Sequence, residues 1–202
     1  MTIKAVSYDT VMLYFKQEIS EIVLDEVQKV YLSLKNIKGI TNLTPSYCSI
    51  LVQYDILIHN EKALKEIIIQ RAVGLTSRDI KENKLIKIPT NYHKSLDLER
   101  VAKHNKLSIE EVIELHTQTT YRVYAIGFMV GFAYLATVNP QIVTPRLESP
   151  RKKVPKGSVA LANEQTAIYP QDSAGGWNII GHTKFDDFHT FEIGDKVQFE
   201  RI

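Results

Sequence analysis

The stretch from Thr144 to Thr183, TPRLESPRKKVPKGSVALANEQTAIYPQDSAGGWNIIGHT, holds the only tryptophan of the chain together with Pro145, Pro150, Pro155, Pro170, Gly157, Gly175, Gly176 and Gly181. Each proline fixes φ and removes a backbone donor, and each glycine permits turns that other residues resist. No continuous helix can run through such punctuation. The apolar runs between the turns, SVALA and TAIYP, predict short strands joined by rigid, shaped loops, a kind of segment that often carries function.

Upstream the pattern changes. Residues 11–16, VMLYFK, read as a strand, and Ser20 offers an N-cap to a helix whose Leu24, Val27, Tyr31 and Leu34 recur at spacings of three and four before Gly39. The segment from Ile40 to Asp55, with Pro45 inside it, reads as two strands or one kinked strand. Asn60 can cap a second helix with Leu64, Ile67 and Ile68 on one stripe, ending at Gly74, and LIKIP at 85–89 reads as a closing strand. Strands interleaved with two helices predict a small α/β sandwich over residues 1–90, with polar residues 90–97 as the boundary. Residues 91–202 then form a β-barrel domain with two leading helices, one capped by Asp97 and one opened by the Ser108 and Glu111 capping box. The strand-like YRVYAIGF, the turn-rich GFMVGFAYLATVNP and the alternating Val197 and Phe199 support that β-rich half, so the fold class is α+β.

Composition narrows the function. A formal charge of +2 argues against a general nucleic-acid or membrane-surface binder, and the lone Cys48, read as a small buried hydrophobe, excludes an internal disulfide and a cysteine-rich zinc site. No signal sequence or apolar run of membrane-spanning length is visible, which makes the cytoplasm the expected location. HExxH, Walker A, GxSxG and GxGxxG patterns are absent, and no metal site is expected. Arg146, Arg151, Lys152, Lys153 and Lys156 form a basic loop that suits an anionic ligand, although composition alone favours a solvated surface loop. Gly175, Gly176 and Trp177 allow close backbone approach beside a flat ring, a ligand rest or a tight turn with a core tryptophan. His182 has the chemistry of an acid, base or ligand, and with Ser158 it makes a weak nucleophile and base pair. Phe128, Phe132 and Tyr134, beside Gly127 and Gly131, fit a core or a pocket wall.

The motifs YRVYAIGF, GFAYL, TPR, PR, VPKGSV, QT, IYP, GGW and IGHT occur in the order found in the family of 5-oxoprolinase B subunits, and the resemblance extends through PSYCSILVQYD and DLERVAKHNKLSIEEVIELH. The family includes proteins called allophanate hydrolase subunit 1 and the sporulation-kinase inhibitor KipI. The resemblance implies a cyclophilin-like barrel after the N-terminal α/β domain. It also implies a hydrolase component that opens the lactam of 5-oxoproline to glutamate together with the A and C subunits, ATP being a cosubstrate of the assembled complex. On the same ground the substrate would meet Arg146, Arg151, Gln165, Thr166, Tyr169, Gly175, Gly176 and His182. The alternative is a KipI-like inhibitor that binds a sensor histidine kinase without catalysis. Departures from the family pattern at Cys48, His93, Met129, Val130, Ala136 and His182 raise the prospect of a paralogue with altered chemistry.

Overall fold

Alternating burial along the two inner strands of its sheet sets the N-terminal unit. A computed structural model describes residues 1–73, 75 and 83–202, and the chain divides into two compact units, Met1–Glu82 and Asn83–Ile202. In the first unit, β1 (Thr2–Ser7), β2 (Thr10–Tyr14), β3 (Ile40–Ser46) and β4 (Ser49–Tyr54) pair antiparallel in the order β1-β2-β4-β3. Val11, Leu13, Ile50 and Val52 point from the sheet into one core with Val23, Val27 and Leu34 of α1 (Glu21–Leu34) and Leu64 and Ile68 of α2 (Glu61–Ala72). Ser20 and Asn60 cap these helices as expected, accepting from the backbone N–H of Val23 and Ala63.

Two details differ from the sequence reading. Strand β1 has no apolar alternation because it is an edge whose residues are almost all exposed, so periodicity could not reveal it. The Ile40–Asp55 segment forms two strands, and Cys48 lies in the turn between them, half-buried with its Sγ 3.5 Å from Gln17 Oε1, rather than inside a strand. Gly74, the expected helix end, lies outside the described residues.

The larger difference is the boundary. Strand β5 (Leu85–Thr90), read from sequence as closing the first domain, runs parallel to β13 (Lys196–Arg201) and belongs to the second unit. Its partner lies over a hundred residues away, and Ile88 is buried against the barrel core. The polar segment after it is no free linker, since Tyr92 in the 3-10 turn Tyr92–Lys94 is buried in that core.

The second unit is built on a seven-stranded sheet that also contains β6 (Thr120–Ile126), β7 (Ala133–Ala136), β9 (Ser158–Ala162), β10 (Gln165–Ile168) and β12 (Asn178–His182). Its order is β12-β9-β10-β7-β6-β13-β5, and an antiparallel bridge between Asn91 and His182 all but closes it into a barrel. Each residue of the bridge donates its N–H to the other's carbonyl, at 2.8 and 3.0 Å. Gly181 suits the seam, because a Cβ there would stand 2.9 Å from Thr90 Cγ2. A separate two-stranded ribbon, β8 (Arg151–Val154) with β11 (Ser173–Gly175), completes the strands. Helices α3 (Leu98–Asn105) and α4 (Ile109–Gln118) pack onto the barrel, α4 opened by the expected Ser108 and Glu111 capping box. Asp97 occupies the N-cap position of α3 but makes no capping hydrogen bond, because its carboxylate is committed elsewhere.

Inside the barrel His116 is fully buried, and its tautomer follows from its partners. Thr166 donates its one hydroxyl proton to the Ala160 carbonyl at 2.9 Å, so it must accept from His116 Nε2 at 2.9 Å. That leaves Nδ1 to accept from the Tyr92 hydroxyl at 2.7 Å. Burial depresses the imidazole from its ordinary 6.5 to about 3. The unfolded chain binds a proton near the ordinary value and the folded chain does not, so this contribution to stability is complete above about pH 6.5 and declines toward about pH 3. Urea unfolding from about pH 7 down to about pH 4 should therefore show falling stability, and His116→Gln should flatten that decline although its stability is lower throughout.

Candidate functional site

Strands β9 and β10 are buried on both faces, and their alternation builds the site. Val159, Leu161 and Ile168 fill the barrel, whereas Ala160, Ala162, Ala167 and Tyr169 face a second apolar cluster with Phe132, Trp177 and Ile179. Small alanines on that outer face leave room for rings. Phe132 meets Tyr134, Tyr169 and Trp177 edge-on, at centroid distances of 4.9, 5.4 and 5.8 Å. Above them opens a cleft of about 250 Å³ lined by Tyr134, Arg146, Tyr169, Gly175, Gly176 and Trp177, among others. Phe128, 65% exposed, packs on Phe132 at its mouth with a φ of +71°.

The Arg146 guanidinium lies over the Trp177 ring, 5.6 Å from its centroid, which leaves a permanent cation at an aromatic wall. Burial raises both tyrosine hydroxyls, opposed at Tyr134 by the charge of Arg146 and at Tyr169 by Arg146 and Arg151. Both phenols stay neutral near pH 7 and can donate hydrogen bonds. The floor is glycine by necessity at one position, because a Cβ on Gly175 would stand 2.2 Å from Tyr169 Oη. At Gly176 the nearest contact would be an ordinary 3.7 Å. An aromatic slot with a cation at the rim and two neutral donors suits a small planar anion.

Of the eight residues that the resemblance assigned to the substrate, the structure brings four together, Arg146, Tyr169, Gly175 and Gly176, and with them Trp177 and the aromatic residues Phe128, Phe132 and Tyr134. Arg151 stands beside them in register with Gly175, its Nη2 paired to Asp97 Oδ1 at 2.6 Å. Gln165 begins β10, half-buried, away from the cleft lining. Thr166 is not a ligand group: consecutive strand residues face opposite ways, and it turns into the barrel to His116. His182 lies at the barrel seam, where its Nε2 contacts the Lys156 carbonyl at 3.0 Å and its ring lines a different cavity, of about 570 Å³. Ser158 donates to the Pro155 carbonyl at 2.7 Å, so the two form no nucleophile and base pair. Among the departures, Val130 is an exposed loop tip, His93 is exposed and Ala136 is buried in β7.

Sequence reasoning passed over Asp97, Arg100 and Asn178. Asn178 is fully buried and donates to the carbonyls of Pro145 and Leu161, each at 3.0 Å. Its position directly after Trp177 in a strand was the one signal available; Arg100 reads as an ordinary solvent-facing helix residue. Among the described residues no group of three His, Cys, Asp or Glu side chains is placed to hold a metal ion, and no helix is long and apolar enough to cross a membrane.

Gly175→Ala should lower the melting temperature and red-shift Trp177 fluorescence, since Tyr169 must leave its place. Tyr169→Phe, which removes the closest contact, should restore part of the loss in the double variant, as thermal denaturation would record.

A family model described as the carboxyltransferase domain, subdomain C and D, matches residues 1–193. The chain is 33% identical over 212 residues to the B subunit of 5-oxoprolinase from Bacillus subtilis, covering 95% of this chain and 88% of that protein. It is 42% identical over 123 residues to the protein of the same name from Haemophilus influenzae, covering 56% and 58%. The crystal structure of TTHA0988 superposes with a TM-score of 0.86 at 32% identity, over 96% of this chain and only 40% of that one. A conserved uncharacterized protein from Pyrococcus horikoshii, 36% identical, is covered over 97% of its length with a TM-score of 0.57. Kluyveromyces lactis urea amidolyase, at 15% identity and a TM-score of 0.74, shares the fold. A near full-length match to the Bacillus subtilis protein, on a barrel of this topology, places the chain in the family of 5-oxoprolinase B subunits.

Proposed function

We propose that this chain is the B subunit of a 5-oxoprolinase, acting with A-like and C-like subunits to open the lactam ring of 5-oxoproline to glutamate with hydrolysis of ATP. The observation that carries this reading is the 33% identity to the Bacillus subtilis protein across 95% of the chain. The cleft geometry agrees with it. A five-membered lactam is small and flat enough to lie against Trp177 and Tyr134, and its carboxylate finds a counter-charge in Arg146. Tyr134 and Tyr169 line the cleft with neutral hydroxyls, which in this reading donate to a carbonyl oxygen that gains negative charge as the ring C–N bond breaks.

ATP is a cosubstrate of the whole assembly in this reading. A cleft of about 250 Å³ does not enclose a nucleoside triphosphate, and the sequence has no Walker A loop, so the nucleotide is assigned to the partner subunits.

Co-purified with its A and C partners, the chain should support ATP-dependent release of glutamate from 5-oxoproline, and leaving it out should abolish that release. In the active complex Arg146→Ala should raise KM for 5-oxoproline by roughly tenfold or more, the loss expected for a charge-assisted hydrogen bond. No glutamate from a correctly assembled complex would overturn the proposal.

A further inference from the structure

The two arginine-bearing segments of the cleft are tied to one point of the fold that is not part of the cleft. Asp97 and Arg100 are three residues apart at the start of α3, a spacing that puts both side chains on one side of the helix. Asp97 is 6% exposed, and its carboxylate bridges two strands: Oδ1 accepts from Arg151 Nη2 at 2.6 Å and Oδ2 from the Ile179 N–H at 2.7 Å. The N–H groups of Leu96 and Asp97 both donate to the Ile179 carbonyl, at 3.0 and 2.9 Å, so the carboxylate is immobilised from the backbone side as well. Arg151 is thereby held by one arm, while its Nη1 is buried and has no hydrogen-bond partner in the protein.

Arg100 does for Arg146 what Asp97 does for Arg151. Its Nη1 donates to the Pro145 carbonyl at 3.3 Å and to Asn178 Oδ1, and Asn178 donates back to the same Pro145 carbonyl at 3.0 Å. That carbonyl belongs to the peptide that carries Arg146. On the other side of Arg146, the Leu147 N–H donates to the Gly176 carbonyl at 2.8 Å. The backbone on both sides of Arg146 is therefore fixed, and its guanidinium is kept over Trp177.

We infer that Asp97 and Arg100 are positioning residues for the anion-binding cleft: Asp97 sets the orientation of Arg151, and Arg100, through Pro145 and Asn178, sets that of Arg146. The ligand side of this inference rests on the proposed function; the positioning itself does not. Neither residue lines the cleft, whereas Arg146 does and Arg151 stands next to its wall, between Pro150 and the register partner Gly175, so each acts only through its arginine. Arg100→Lys shortens the side chain and gives up the planar guanidinium that aims both Nη1 protons, one at the Pro145 carbonyl and one at Asn178 Oδ1, so lysine does not hold the two acceptors in place.

The test separates the two layers. In the full chain without ligand, Trp177 is the sole tryptophan and reports on Arg146 directly. Arg100→Ala should shift its emission and acrylamide quenching to the values of Arg146→Ala, and the double variant should add nothing. Emission of Arg100→Ala that matches wild type overturns the inference, whatever the substrate. In the assembled enzyme with 5-oxoproline, Asp97→Asn, whose amide oxygen still accepts from Ile179, should raise KM roughly tenfold and change kcat by less than about threefold. The increase should vanish in an Arg151→Met background, as should that of Arg100→Lys in an Arg146→Ala background. Additive effects would mean that Asp97 and Arg100 only stabilise the fold, and would overturn the inference. If Asp97→Asn does not fold, the Arg100→Lys cycle decides alone. A wild-type complex without turnover, alongside the expected ligand-free emission, sinks the proposed function and leaves the positioning assignment standing.

Discussion

Apart from half-buried Gln165, strands β9 and β10 are buried on both faces, and the second unit depends on how that constraint is met. One set of alternate residues must fill the barrel and the other must build the wall of the cleft, so every position is assigned by its parity. Valine, leucine and isoleucine go inward. On the outer face the alanines keep the sheet surface low, and the rings of Phe132, Tyr169 and Trp177 lie on it. A slip of one residue would push Tyr169 into the barrel and bring Thr166 out, breaking the His116 network and the cleft together.

The same parity explains what could be read from the sequence. The helices of the first unit, their Ser20 and Asn60 caps and the capping box at Ser108 were legible because each depends on residues within a few positions of one another. The ordered motifs from Tyr121 to Thr183 were enough to indicate the barrel. Strand β5 was placed in the wrong half because its partner is distant in sequence and nothing local records a parallel pairing. Pairing Gln165 with Thr166 as joint ligand groups ignored that neighbours on a strand face opposite sides. His182 was assigned to the cleft by the family resemblance of the GGW to IGHT stretch, whereas β12 carries it to the seam, at the far end of the strand.

A contrast between two buried polar systems separates scaffold from site. His116, Thr166 and Tyr92 satisfy one another completely, each proton having one acceptor, and such a closed network specifies a barrel core without inviting a ligand. Around the cleft the accounting stays open. Arg146 stacks on a ring instead of pairing with a carboxylate, and Arg151 keeps one buried nitrogen unpartnered. An unmatched buried donor is costly, and a bound anion is one partner that would complete it.

Strand β13 lies between β5 and β6 in the sheet, so the first and second strands of the barrel in chain order are joined only by its last. During synthesis β5 and β6 emerge long before residues 196–201, and until then each shows the ribosome exit region an unpaired edge. The barrel is thus a late-closing structure dominated by non-local contacts, whose growing intermediates need protection from edge-to-edge association until the final strand arrives.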